Sequence, residues 1–440
     1  IFDADGRPND RMVAAYAAAH QTTVNIADAQ RVEGFDFSGT REFNRRTGYV
    51  SQSFLTVPLI DHHRETIGVL QLINALDPGS GAIRAFTAED QRLAESLASQ
   101  AAIAYTKRRL IDQLAELFES LISLINTAID EKSPYTSKHC ERVPVLTMMI
   151  AEAVHKVDSG PLADFRMTDP DRYELRIAGL MHDCGKITTP VHVMDKATKL
   201  QALFDRIHLL DARFEVARRD AAIDRLEALL ARPEDGASIE AGYRQRLAEL
   251  DDDQDFLRRC NIGGESMTMA DQERVSRIAR QRWKDGDGHD LPFLGPDEEA
   301  CLRVPHGTLT DAEREIINHH IVSTLHMLEA LPWPRHLRRV PEFAGGHHER
   351  MDGKGYPRGL TGAQMSVQAR IMAIADIFEA LTAADRPYKQ AKSLSECLAI
   401  MDRMAAEGHI DPAIYAVFVA EGIPGAYARQ FLAPEQIDLK

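Results

Sequence analysis

No apolar run in the chain approaches the ~20 residues that a bilayer-crossing helix needs, so no membrane span is expected. Cysteine is sparse. Cys140, Cys184, Cys260, Cys301 and Cys397 form no CxxC pair, and an odd count in a long chain suits reduced thiols in a cytoplasm. The same spacing offers no thiolate set for a closed structural zinc site. Positive charge is also short. A formal net charge of −15 argues against a nucleic-acid coat or an anionic membrane surface as main partner. A small anionic substrate stays open, provided basic groups gather locally. No Met opens the chain and no signal peptide is seen, so further residues upstream of Ile1 are expected.

What is present is ordinary in bulk: 27% charged and 44% hydrophobic residues, as in soluble globular proteins. At 440 residues the chain exceeds one ordinary core, which predicts a multidomain protein. Residues 1–86 read as α/β structure. The β-rich runs Ser53 to Ile60 and Ile67 to Ile73 flank polar Asp61 to Thr66, a hairpin signal, and Ala-rich Arg11 to Ala19 predicts a helix. Thr87-Ala88-Glu89-Asp90 is a capped helix start, and no Pro or Gly interrupts the pattern to about Asp130, giving a long helix over 87–132. Leu93, Leu97, Ala101, Ala104, Leu110, Leu114, Leu117, Leu121, Leu124 and Ala128 recur along it at three- and four-residue steps. Such a stripe wants a partner helix, which predicts a homodimer; the plainer alternative packs it on the chain's own domains. From 133 to 440 the pattern is all-α, with a solvated helical insertion over about 200–305.

The chemistry gathers in a few short segments. Gly346-His347-His348-Glu349-Arg350-Met351-Asp352-Gly353-Lys354-Gly355-Tyr356-Pro357 joins two histidines, an acid, bases and a Gly-rich turn. Adjacent histidines are costly to bury without a cation to bind. His182-Asp183-Cys184-Gly185-Lys186 adds an imidazole, a carboxylate and an ammonium, read as one helical turn, and Asp376 is an acid inside an apolar run. Taken singly, His139 reads as a capping or core histidine and Asp376 as an ion-pair partner. Together with His182, Asp183, His320, His347 and His348 they suggest a metal cluster, with Asp183 able to bridge two cations. His319 and His320 compete for one role. Imidazole and carboxylate donors suit Fe, Mn, Ni or Zn better than Mg or Ca.

The series His139, His182-Asp183, His320, His347-His348 and Asp376 resembles the HD superfamily of metal-dependent phosphohydrolases. With Tyr135 to Val143, Leu309-Thr310, the run from His347 to Leu360 containing Gly355-Tyr356-Pro357, and Arg386-Pro387-Tyr388-Lys389, the chain is similar to its HD-GYP branch, whose activity is hydrolysis of cyclic di-GMP. The likeness covers about 134–200 and 305–420, and implies an all-α phosphohydrolase domain. It implies metal-ligand roles for those seven residues, counting from Leu309 to choose His320. Lys186, with Asp183, would serve catalysis at the phosphate or bridging hydroxide. Tyr356, Arg386 and Lys389 would hold the dinucleotide, joined by the basic neighbours Arg350 and Lys354. Tyr135 stands where some members carry the Glu of a third metal, so two divalent ions are expected, iron first and manganese, nickel or zinc as alternatives. Ser133, Ile321 and Thr324 depart from the usual Asp, Pro and Gly without removing a ligand. The stretch from Lys199 to Gly307 lengthens a loop that is normally short.

The first segment resembles a GAF sensor domain entered partway through its fold, on Phe37 to Phe43, Thr56 to Leu59 and Ile67 to Ala75. Asn74, Phe86 and Asp90 match the cyclic-nucleotide pattern of such domains, whereas Ala75 and Gln91 depart, leaving the ligand unknown. The resulting expectation is a cytoplasmic GAF-regulated phosphodiesterase that linearises cyclic di-GMP to pGpG, with onward cleavage to GMP left open. Alternatives are an HD phosphohydrolase for another nucleotide such as cyclic GMP-AMP, a binding-only effector, and di-iron oxygenation. The last is disfavoured by Lys186, Arg350, Lys354, Arg386 and Lys389, which suit a phosphate.

Overall fold

The computed structural model describes residues 6, 9–133, 139–264, 266–383 and 392–439. Tyr135, Arg386 and Lys389 lie outside them. The chain divides into two units, Ile1–Leu121 and Ile122–Lys440.

In the first unit the hairpin signal yields antiparallel strands Phe54–Ile60 and Thr66–Ile73, and Val24–Ile26 pairs on the other side of Phe54–Ile60. Asp61 closes the turn by accepting from the backbone N–H groups of His63 and Glu65 at 2.9 and 2.8 Å. The Ala-rich helix runs Val13–His20. The long helix spans Ala88–Lys132, and Thr87 and Asp90 cap its start reciprocally. Ala94 and Ala98, whose small side chains allow close approach, pack with Leu55, Val57 and Phe86. The leucines of the stripe, Leu93, Leu97, Leu110, Leu114, Leu117, Leu121 and Leu124, are all exposed.

The three residues shared with nucleotide-binding GAF domains are committed to the fold. Asn74 adopts φ +62°, accepts from Gln52 N at 2.7 Å and donates to Val50 O at 2.7 Å. Asp90 pairs with Arg84 at 2.5 Å, which holds its carboxyl well below the usual range, and Phe86 packs against the sheet–helix core.

In the second unit, Ile122, Asn126 and Ile129 of the long helix are buried at four- and three-residue steps. Helices His139–His155, Asp169–Met181, His320–Glu329, Val340–Gly345 and Val367–Thr382 surround the histidine cluster. Val367–Thr382 is apolar almost all round and buried, as a central helix should be. A Cβ on Gly179 would stand 3.2 Å from Pro144 Cα, so two of these helices approach closely there.

The insertion departs from the expected solvated excursion, because it carries a core of its own. Helices Ile207–Ala231, Gly236–Asn261, Met269–Ala279 and Pro296–Leu302 bury Leu210, Phe214, Leu250, Leu257, Ile278, Phe293 and Leu302 together. Helix Met269–Ala279 stops before Trp283. Arg282–Lys284 instead pairs with Asp290–Pro292 as a hairpin, whose turn holds Gly288 at φ +83°. At the root of the insertion, the Lys196 ammonium sits 2.8 Å from both Glu313 oxygens with its side chain 1% exposed.

Candidate metal centre

Helix Asp169–Met181 ends immediately before His182. His182 is its C-cap, and Cys184–Thr188 continues as a tighter 3₁₀ turn, correcting the expected single helical turn through Lys186. The cause is packing. A Cβ on Gly185 would collide with His320 O and the Thr324 backbone, so the chain presses against helix His320–Glu329, and Gly185 N donates to Thr324 Oγ1 at 2.9 Å. The departure at Thr324 thus supplies a hydrogen bond. The tightened turn lays Lys186 on Asp183, with Nζ 2.5 Å from Oδ2.

The fold brings all seven expected residues together. His139 Nε2 lies 3.2 Å from Asp183 Oδ2 and 3.1 Å from Asp376 Oδ1, and His182 Nε2 lies 3.2 Å from Asp183 Oδ2. On the other side, His320 Nε2 is 3.2 Å from Asp183 Oδ1 and 3.2 Å from His348 Nε2. Donor atoms of Asp183, His320, His347 and His348 fall within 4.8 Å of one another, as do those of His139, His182 and Asp183. Asp183 belongs to both groups. His320 is buried while His319 is exposed, so only the former joins the cluster.

The imidazoles are held from behind. His182, His320 and His347 place Nδ1 at 2.8, 2.6 and 2.5 Å from the carbonyls of Gly179, Ile317 and Ala344, each three residues earlier. Each therefore turns Nε2 inward. Burial opposes charge on His182, but Asp183 and then Asp376 outweigh it and push the imidazole up to about 9. Burial, with His182 nearby, pulls His347 down to about 4, and His348 lies well below its ordinary value for the same kind of reason. Burial works against the Asp183 charge too, yet Lys186, His182 and His139 hold its carboxyl well below the usual range. The donor set fits a divalent cation on a further observation: His347 Nε2 and Asp183 Oδ1 are buried without a hydrogen-bond partner.

Tyr356 stacks on His348, ring centroids 4.8 Å apart and planes 25° from parallel. Burial and the carboxylates of Asp376 and Asp183 raise its phenol well above the usual range, so it remains a donor. Two expected substrate contacts, Arg350 and Lys354, lie beside Asp352. Arg350 grips Asp352 with bonds of 3.1 and 2.8 Å, and Lys354 is 78% exposed with its nearest carboxylate, Asp352, at 3.9 Å. Asp352 competes for both cations from within the same turn.

Two buried acids escaped the sequence reading. Glu349 accepts from Arg358 N at 2.7 Å and Leu360 N at 2.8 Å, tying the Gly-rich loop behind the histidine pair. Glu379, 1% exposed, meets His139 Nδ1 with one oxygen and Arg142 Nη2 at 2.6 Å with the other. The available signal was spacing: Glu379 stands one residue short of a helical turn beyond Asp376, on the same face.

Family models for the HD domain match residues 136–250 and 291–414, and one for the GAF domain matches 2–105. The chain carries a GAF domain followed by HD-domain sequence. It is 41% identical over 131 residues to a protein named 3'3'-cGAMP-specific phosphodiesterase 1 from Vibrio cholerae, 30% of this chain and 29% of that one. It is 32% identical over 213 residues to a cyclic di-GMP phosphodiesterase of Pseudomonas aeruginosa, 47% of this chain and 49% of that one. Identity to a cyclic di-GMP phosphodiesterase of Thermotoga maritima is 34% over 119 residues, 27% and 31% of the two chains. The chain therefore spans half or less of these relatives' length.

Proposed function

We propose that this GAF–HD chain is a metal-dependent phosphodiesterase that opens cyclic di-GMP to pGpG. The observation that carries the reading is Asp183, shared by two groups of inward-facing donors. His139, His182, Asp183 and Asp376 would hold one divalent ion; Asp183, His320, His347 and His348 would hold the other. Iron is our first assignment, ahead of manganese, nickel and zinc, since imidazole-rich sites accept all four. Such a pair, when bound, supplies positive charge to a phosphodiester and lowers the pKa of a shared water.

The chain's own groups do the rest. Lys186 keeps its proton, because Asp183 and Asp376 outweigh its burial, and offers an ammonium to the phosphate. Tyr356 presents a phenol donor and an aromatic face beside His348. Arg386 and Lys389 we assign to the dinucleotide, joined by Lys354; Arg350 takes part only if it releases Asp352.

A second reading has support of its own: relatives named for 3'3'-cGAMP reach 41% identity, against 32–34% for two named for cyclic di-GMP. Turnover of both dinucleotides by the full chain, beside metal analysis, tests the choice. Cyclic di-GMP is expected to be the faster substrate. Faster cleavage of cyclic GMP-AMP selects the second reading, and no cleavage of either with both ions bound leaves a binding effector.

Cytoplasmic location and homodimerisation through the leucine stripe belong to the same proposal, with an unidentified small molecule on the GAF domain setting activity. Among the described residues no helix is long and apolar enough to cross a membrane.

A further inference from the structure

Among His139, His182, His320 and His347, one imidazole is held at Nδ1 differently from the rest. His182, His320 and His347 each lean Nδ1 on the carbonyl three residues back, a neutral acceptor supplied by the helical turn or helix end they close. His139, in helix His139–His155, is held at Nδ1 by a side chain instead. A carboxylate takes that place: Glu379, from helix Val367–Thr382, meets His139 Nδ1 and is itself gripped by Arg142 Nη2 at 2.6 Å. Arg142 lies on the same helix as His139, three residues on, so the helix that carries the imidazole also carries the clamp for its supporting acid. All three side chains are 13% exposed or less.

We infer that Glu379, clamped by Arg142, is a positioning residue that makes the cation site containing His139 the tighter of the two. Two effects add. An anion behind an imidazole makes the ring a better donor than a carbonyl does, and fixes Nε2 as the ligating atom. The His139 side also has two carboxylates, Asp376 and the shared Asp183, whereas the other side has one, Asp183, beside the imidazoles of His320, His347 and His348. Negative charge is thus concentrated on one side of Asp183, and a divalent ion should load there first.

The inference rests on reading His139 as a ligand, and binding rather than turnover separates the two ideas. Cobalt(II) is titrated into the chelator-stripped full chain, followed by calorimetry and visible absorption. Wild type is expected to take up two equivalents in unequal steps. Glu379→Gln keeps the size and an acceptor but removes the charge; it should weaken the tighter step by about 10–100-fold and leave the weaker step within about threefold. In a His139→Ala background the same substitution should change neither step, since its effect passes through that ring. Uniform weakening of both steps, an unchanged tighter step, or an equal loss with His139 already absent overturns the inference. If wild type binds no cobalt, the metal reading itself falls. Should Glu379→Gln fail to fold, judged by circular dichroism of the stripped protein, Glu379→Asp retains the charge but withdraws it by one methylene. It must then weaken the tighter step selectively, and an unchanged tighter step or equal weakening of both steps in that variant overturns the proposal.

Discussion

Replacing Asp183 by Asn is the most searching test of the centre, because one neutralisation should act at both cation sites at once. Asp183 is 2% exposed. One oxygen lies 3.2 Å from both His139 and His182 and 2.5 Å from Lys186, and the other lies 3.2 Å from His320. Asn preserves the shape and removes the charge. Withdrawing one partner from a buried ionic cluster costs about 3–5 kcal/mol, since it strands the ammonium of Lys186. At about 1.4 kcal/mol per factor of ten, a comparable loss at each cation site lowers each ion's affinity by roughly 10²–10⁴-fold. Elemental analysis of the variant purified without added metal should find well under one ion per chain, and turnover should fall by ~10³-fold or more. The chelated form is informative as well. The folded carboxyl sits below its ordinary 3.8, so its stabilisation is complete above that value and is lost as pH falls through the lower, folded value. The melting temperature of chelated Asp183→Asn should therefore fall below wild type at pH 7, with the gap narrowing in acid. A variant that keeps two ions per chain and a rate within tenfold of wild type would refute the bridging role.

Lys186→Ala should retain both ions while the rate drops ~10²-fold, as for loss of one charge-stabilising donor, and an unchanged rate removes Lys186 from the chemistry. At the insertion's root, Glu313→Gln strands the buried Lys196 ammonium and should cost roughly 2–3 kcal/mol in denaturant unfolding at pH 7. Burial opposes the Glu313 charge, but Lys196 prevails and lowers its carboxyl below 4.5, so wild type loses this increment as pH falls through the lowered value while the variant does not. A pH-independent difference between the two would contradict that. Leu114 and Leu121 are 65% and 50% exposed, so Leu114→Glu with Leu121→Glu should leave the folded chain intact and convert a sedimenting dimer to monomer. Wild type that sediments as a monomer at micromolar concentration ends the dimer proposal.

Sequence alone determined the elements whose periodicity is long and whose punctuation is clear. The helix Ala88–Lys132 declares itself by its Thr87 cap and unbroken pattern, and the hairpin around Asp61 by β-rich runs flanking a polar turn. His182-Asp183 and His347-His348 were conspicuous because such groups are costly to bury together without a common purpose. Other features depend on contacts between residues far apart in the chain. Glu379 meets His139 across 240 positions, and only tertiary packing reveals that the acid supports the imidazole. The tightening from His182 to Lys186 comes from the Gly185 contact with His320 and Thr324, which overrides the helical continuation that local spacing suggested. The insertion looked solvated because its surface is rich in charge, yet Phe214 and Phe293 meet in a core that forms only when its helices assemble. Likewise, Arg350 and Lys354 read as free cations until the loop folds and turns Asp352 toward them. Local pattern fixes which residues are available and on which face. Long-range packing decides which charges meet, and with that which of them remain available to a ligand.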